Sequence, residues 1–274
     1  MDAAIEDLLP WKTAVVIAWL ALFLIAERWH PAAREPRPGD GLPAGGGRRL
    51  ARNAALWLGN AALGPLLVVP VTLLATGHRL GWRPDWWSGA GGLALDLLVL
   101  DFAIYWWHRA NHVVPLLWRF HEIHHLDRFL DATSAGRFHF GEVALSALAR
   151  AGLILLLDVP VTSVIVFETT LLMAAIFHHS NLALPPGLER GLARVIITPS
   201  IHWVHHRARR RDTDSNYGTI LSAWDRVFRT RSATPRTLDM PIGVERRAER
   251  DLIGLIARPF RGRRARAVAG DPAG

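Results

Sequence analysis

Five apolar runs leave this chain few choices of fold. Trp11–Trp29 is nearly continuous hydrocarbon with a tryptophan at each end, where interfacial anchors belong. Four more follow at Ala54–Ala75, Gly89–Trp107, Val143–Asp158 and Val161–Phe177. Runs of this kind read as membrane helices, because a helix pairs its own backbone groups where no water can. Gly59, Gly64, Pro65 and Pro70 soften the second run, and membrane helices tolerate such breaks. The last two, interrupted at Pro160, are short and suggest a tilted hairpin or partial re-entry rather than two full crossings. The first run lacks a basic start and a small-residue cleavage site, so it reads as a retained helix and not a signal peptide. The expectation is an all-α integral membrane bundle of about four or five membrane helices. It forms one domain over 1–274: membrane helices in 1–100, a histidine-motif region in 101–230, and a basic tail in 231–274.

Charge places the ends. The formal charge is +8, and Lys12 is the only lysine. A basic excess suits nucleic acid or an anionic surface; in a chain that is 50% hydrophobic it points to anionic lipid headgroups and to no nucleic acid. His30 to Arg52 reads as a solvated loop, and with Arg28 it holds Arg34, Arg37, Arg48, Arg49 and Arg52, against Arg79 and Arg83 in the 77–88 loop. The positive-inside bias then puts the first loop in the cytoplasm of what reads as a bacterial inner-membrane protein. Counting crossings brings His108–His139 and the tail, with its arginines at 207–211 and 261–266, to the same side. Trp106, Trp107, Trp118 and Trp203 read as interface markers. Asp96 and Arg150 are charges inside apolar segments, where charges are paired or functional; neither receives a role.

Thirteen histidines then decide the chemistry. His108 and His112 are spaced i, i+4; His121, His124 and His125 form H-x-x-H-H, and His202, His205 and His206 repeat it. On a helix each set shares one face, so its imidazoles can converge on a metal. With His139 and one of His178 and His179, ten ligand candidates result, too many for one zinc ion and suited to two metals. His30 and His78 stand outside the pattern as surface residues. The chain has no cysteine, which excludes disulfides, Fe–S clusters and Cys-type zinc sites. One rival motif lies in the same residues: His121-Glu122-x-x-His125 matches the zinc-protease signature, with Glu122 as base. Against it, the histidines are too many for a protease, and Trp203 stands where the second copy would need its glutamate. Haem ligation would need isolated histidines deep in two helices. A non-catalytic metal-binding membrane protein is the remaining alternative.

Six blocks in order carry a resemblance: D-F-x-x-Y-W-x-H-R-x-x-H at Asp101–His112, L-W-R-F-H-x-x-H-H at Leu117–His125, R-x-H-x-x-E at Arg137–Glu142, F-H-H-S-N at Phe177–Asn181, T-P-x-x-H-x-x-H-H at Thr198–His206, and N-Y-G…W-D-R-x-F at Asn216–Phe228. The chain resembles the fatty acid hydroxylase / sterol desaturase superfamily of integral-membrane, non-haem di-iron oxygenases. The resemblance implies two iron ions, with zinc as a replacement, that use O2 to hydroxylate or desaturate a C–H bond of a membrane lipid. It implies as metal ligands His108, His112, His121, His124, His125, His139, His179, His202, His205 and His206. Asp101, Glu142, Asn181, Asn216 and Asp225 are candidates to orient those imidazoles by accepting their remaining N–H. No flavin, NAD or haem module is evident, so electrons are expected from a separate carrier of ferredoxin or cytochrome type. The chain departs from the family pattern at Phe140, where many members have Pro, and at Arg229, where Gly usually precedes the final Thr.

Overall fold

The computed structural model describes residues 2–35, 46–78 and 80–261, with side chains from Pro10 onward. Arg37, Arg79 and the arginines between 262 and 266 lie outside those residues. The chain forms α1 (Asp2–Trp29), α2 (Gly47–Gly77), α3 (Gly89–Val113), α4 (Pro115–His125), α5 (Phe140–Leu157), α6 (Val161–His179), α7 (Pro186–Leu192), α8 (Pro199–His205), α9 (Arg210–Thr213), α10 (Ala223–Val227) and α11 (Leu252–Ala257). No β-strand occurs among the described residues, only isolated bridges. Five helices, α1, α2, α3, α5 and α6, are long and apolar enough to cross a membrane, and the protein is a multi-pass membrane protein.

The expected half-hairpin is a pair of full-length helices. α5 has 18 residues and α6 has 19, joined at Asp158–Pro160. α5 starts earlier than its apolar run, at Phe140, and α6 gains His178 and His179 at its end. α2 begins earlier than expected, because Arg48, Arg49 and Arg52 are helical rather than part of a loop. Their helix is secured from outside: Arg49 is fully buried on Asp127 and Asp131, and Arg52 meets Glu249 at 2.8 Å. Inside α2 a π-helical turn at Gly64–Val68 absorbs Pro65, which cannot donate to an α-helical ladder.

Helix directions gather every motif at one end. α1 and α6 run parallel, since the Trp19 indole donates to Met173 O at 3.0 Å and Phe23 meets Phe177 one turn further on. Both helices therefore finish on the side where α3 finishes and α5 begins. There Glu27, at the end of α1, accepts from Ala132 N and Asn181 N. A buried polar platform underlies this end. Asp127 accepts from Arg49, Asn53 and Ser134, while Arg137 donates to Asn53 and to Ile123 O. Burial alone would raise the Asp127 carboxyl, but Arg49 and Arg137 outweigh it and hold it down to about 2.

The aromatic residues divide. Trp11, Trp29 and Trp86 are exposed, as lipid-facing anchors are. Trp203 is only 1% exposed and packs on Phe129 under the Arg236 guanidinium, so it is core rather than interface. Trp118 lies against the rings of His112 and His125.

Candidate metal centre

Nine of the ten histidines implied as ligands come together in two groups. His108 and His112 on α3, His121 and His125 on α4, and His205 on α8 form one group, within which one ligand nitrogen of each lies within 4.8 Å of all the others. His124, His179, His202 and His206 form the second by the same measure. All nine are buried. The H-x-x-H-H motifs explain the partition. In each triplet one i, i+4 pair stays in one group while the remaining ring turns to the other: His121 and His125 against His124, and His202 and His206 against His205. The groups abut, with His125 stacked on His206 at 4.2 Å between centroids.

The nitrogens of the second group cannot all be satisfied by one another. Nε2 of His179 lies 3.1 Å from that of His124 and 3.0 Å from that of His202, which is itself 3.1 Å from that of His206. His179 donates through Nδ1 to Ala175 O, so its Nε2 carries the lone pair and can accept only once. A shared cation resolves the crowding: ligands held at the usual zinc–imidazole distance in a tetrahedron are about 3.3 Å apart. Burial, then the neighbouring imidazoles, presses His124, His202 and His206 well below the ordinary histidine range, and does the same to His125 and His205 in the first group. Such rings stay neutral and keep the lone pair that a metal needs. The donor set fits metal ions.

Motif residues that are not ligands aim the rings. His108 Nδ1 donates to Tyr217 O at 2.9 Å, and His205 Nδ1 to Ser215 O at 2.6 Å. That backbone is held by Asp225, which accepts from Tyr217 N, Gly218 N and the Thr230 hydroxyl, itself in contact with Tyr105. Gly218 is required here, since a Cβ would stand 2.8 Å from the Asp225 carboxylate. Arg229 closes the same loop at φ 56, the left-handed conformation that suits glycine. Of the five residues expected to orient imidazoles, only Glu142 touches one, at 2.7 Å from His121 Nδ1. Asp101 accepts from the Trp224 indole and Leu221 N, Asn181 pairs with the Ala33 backbone, and Asn216 bridges Ile201 O and Ser232 N. These three and Asp225 hold backbone instead.

His139 is not brought into either group. It is the N-cap of α5, where Nδ1 accepts from Gly141 N, and its Nε2 donates to Ile256 O of α11. His178 is buried with its ring 4.0 Å from that of His202, also outside both groups. Glu122 faces the tail: Arg258 grips it with two bonds of 2.6 and 2.9 Å. It therefore offers no free base to a metal at His121 and His125, and the protease signature is incidental. The carbonyls of Tyr217, Ser215 and Ala175 that fix three rings carry no side-chain signal in the sequence.

Above the centre lies a cavity of 340 Å³ whose walls include His108, His121, His124 and His179 and the apolar Ile104, Leu171 and Leu172. A membrane bundle of this form, with two adjoining all-histidine groups opening on an apolar cavity, defines a class of membrane metalloenzyme.

Residues 93–230 match the fatty acid hydroxylase family, and the chain belongs to it. The ornithine lipid hydroxylase OlsE of Rhizobium tropici is 26% identical over 92% of this chain and 76% of its own length. Alkylglycerol monooxygenases of Danio rerio and Homo sapiens are 32% and 30% identical over 53% and 56% of this chain, but over only 31% and 32% of theirs. No solved structure matches the chain. The protein is an oxidoreductase of the lipid-oxygenase kind.

Proposed function

We propose that this protein is a di-iron enzyme that hydroxylates or desaturates an unactivated C–H bond of a membrane lipid. The observation that carries this reading is the meeting of two buried histidine groups with an apolar cavity inside a membrane bundle. His108, His112, His121, His125 and His205 hold one ion; His124, His179, His202 and His206 hold the other. Irons bound there would supply the activation of O2. The chain's own part is to bind the lipid chain, to orient neutral imidazoles through Glu142 and the carbonyls of Tyr217, Ser215 and Ala175, and to keep bulk water from the reacting carbon.

A second groove of 330 Å³ between α3 and α5 shares Ile104, Trp107, Ser146 and Arg150 with the cavity, which supports sideways entry of the lipid from the bilayer. In this reading the centre faces the cytoplasm of a bacterial inner membrane and draws electrons from a separate ferredoxin or cytochrome. The whole chain acts as one membrane-embedded unit, supported by the grip of Arg258 on Glu122 and of Ile256 O on His139.

The test is metal analysis of protein purified from iron-replete cells, joined to turnover of membrane lipid with and without O2. About two irons per chain and strictly O2-dependent oxidation of lipid are expected. A single zinc with no O2-dependent product would overturn the reading.

A further inference from the structure

Three charged side chains line the wall of the cavity away from the histidines: Lys12 of α1, Arg150 of α5 and Glu168 of α6. Glu168 meets Lys12 at 2.5 Å and Arg150 at 2.9 Å. All three belong to membrane-spanning helices, where an ionised side chain is costly unless it is compensated. Among the described side chains the set is not balanced, since two cations share one carboxylate. Among the described residues, Arg150 Nε and Glu168 Oε1 are also buried without a hydrogen-bond partner.

A second charge pair in the membrane half shows what a simple brace looks like. Arg83 binds both oxygens of Asp96 at 2.8 Å each, and Ser163 donates to the same carboxylate at 2.6 Å. That pair is one-to-one, and neither charge lines the cavity. By contrast, the Lys12–Glu168–Arg150 cluster faces the cavity with one positive charge in excess among the described side chains. Glu168 precedes His179 by eleven residues of the same helix, about 16 Å at the helical rise.

We propose that Lys12 and Arg150 form the anion-binding pole of the substrate cavity, which takes the carboxylate or phosphate of an amphiphile whose apolar chain runs to the histidine groups. The proposal rests on reading the cavity as a lipid site. The anion completes the charge balance that Glu168 begins and supplies an acceptor for the free donor of Arg150. Its distance from the histidines then selects a carbon remote from the charged group. Neutral lipids lose this interaction and are discriminated against.

Binding tests the proposal without turnover. Metal-free protein in phosphatidylcholine nanodiscs is titrated with fluorescent parinaric acid, parinaryl phosphate and methyl parinarate. The unaltered protein is expected to bind at least one of the two anions about tenfold or more tighter than the ester. Which anion it favours separates a free carboxylate from a phosphate source. Arg150→Met and Lys12→Met should each bring that preference close to unity, whereas Arg150→Lys and Lys12→Arg should retain it. Glu168→Gln should tighten anion binding. Equal affinity for acids and ester in the unaltered protein overturns the proposal even if every variant misfolds. A preference that survives both methionine substitutions overturns it as well, as does weaker anion binding in a folded Glu168→Gln protein. Iron content measured on separate, iron-replete preparations of the same proteins keeps the two readings apart. Loss of the anion preference in a protein that binds two irons removes this site alone, and a preserved preference in a protein that binds none removes the oxygenase reading alone.

Discussion

The two histidine groups touch ring to ring but are held in different ways. In the group of five, three rings have an outer anchor: Glu142 for His121, Tyr217 O for His108 and Ser215 O for His205. In the group of four, only His179 is anchored, by Ala175 O of its own helix. Among the described residues, Nδ1 of His124, His202 and His206 has no hydrogen-bond partner. Those rings take their positions from packing, as His124 does in stacking on Phe138 at 4.4 Å. An anchored ring is pre-organised for its ion, and an unanchored one must be ordered by it. The first site should therefore be the tighter of the two.

Removing a ligand from each side should have the largest effect. His205→Ala and His202→Ala should each lower turnover by more than the roughly 10–100-fold that loss of an outer partner costs. Each should leave about one metal per chain, in the opposite group, as measured by metal analysis of folded protein. If either variant lost both ions, the groups would be one cooperative unit and the comparison would fail.

The platform beneath both groups comes next. Asp127→Asn leaves the buried Arg49 and Arg137 short of a counter-charge and should cost about 3–5 kcal/mol of stability. The Asp127 carboxyl is depressed in the folded protein, so its contribution is fully present above its unfolded value near 3.8 and is lost as pH falls through about 2. The stability gap between this variant and the parent should thus be constant from neutral pH down to about 4 and narrow below it, as followed by thermal unfolding in detergent.

Glu142→Gln sharpens the comparison directly. It should weaken metal binding in the group of five by about 10–100-fold and leave the group of four unchanged. Stepwise chelation should strip the group of four first in the parent protein, and this order should narrow or reverse in the variant. The smallest effect belongs to the loop that carries Tyr217 O. Arg229→Gly should stabilise the protein by up to about 1 kcal/mol, because glycine relieves the left-handed conformation while loosening the unfolded chain. A loss of stability would show that the Arg229 side chain makes a contact worth more than that strain.

Much of the fold was legible in the sequence. The apolar runs located the five membrane helices, but the last two, expected as a tilted hairpin or partial re-entry, are full-length, and Arg48, Arg49 and Arg52 extend α2 through partners distant in sequence. The eight histidines at helical spacing all enter the centre, since a period near four puts side chains on one face whatever the tertiary fold. His139 showed the limit of a single-residue match: its motif was legible, but the N-cap geometry of α5 and the approach of α11 engage both its nitrogens elsewhere.

The sequence by itself determined that the chain spans a membrane, that its three histidine sets share one end, and that no cysteine ligand is available, because these follow from hydrophobic length, the order of the apolar runs and composition. Tertiary structure alone decided which rings form which group, that Glu122 points to Arg258, and that backbone carbonyls fix the imidazoles. It also decided that Lys12, Arg150 and Glu168 meet on one cavity wall. Each of these depends on the relative placement of helices far apart in the chain, and no local period or propensity encodes that placement.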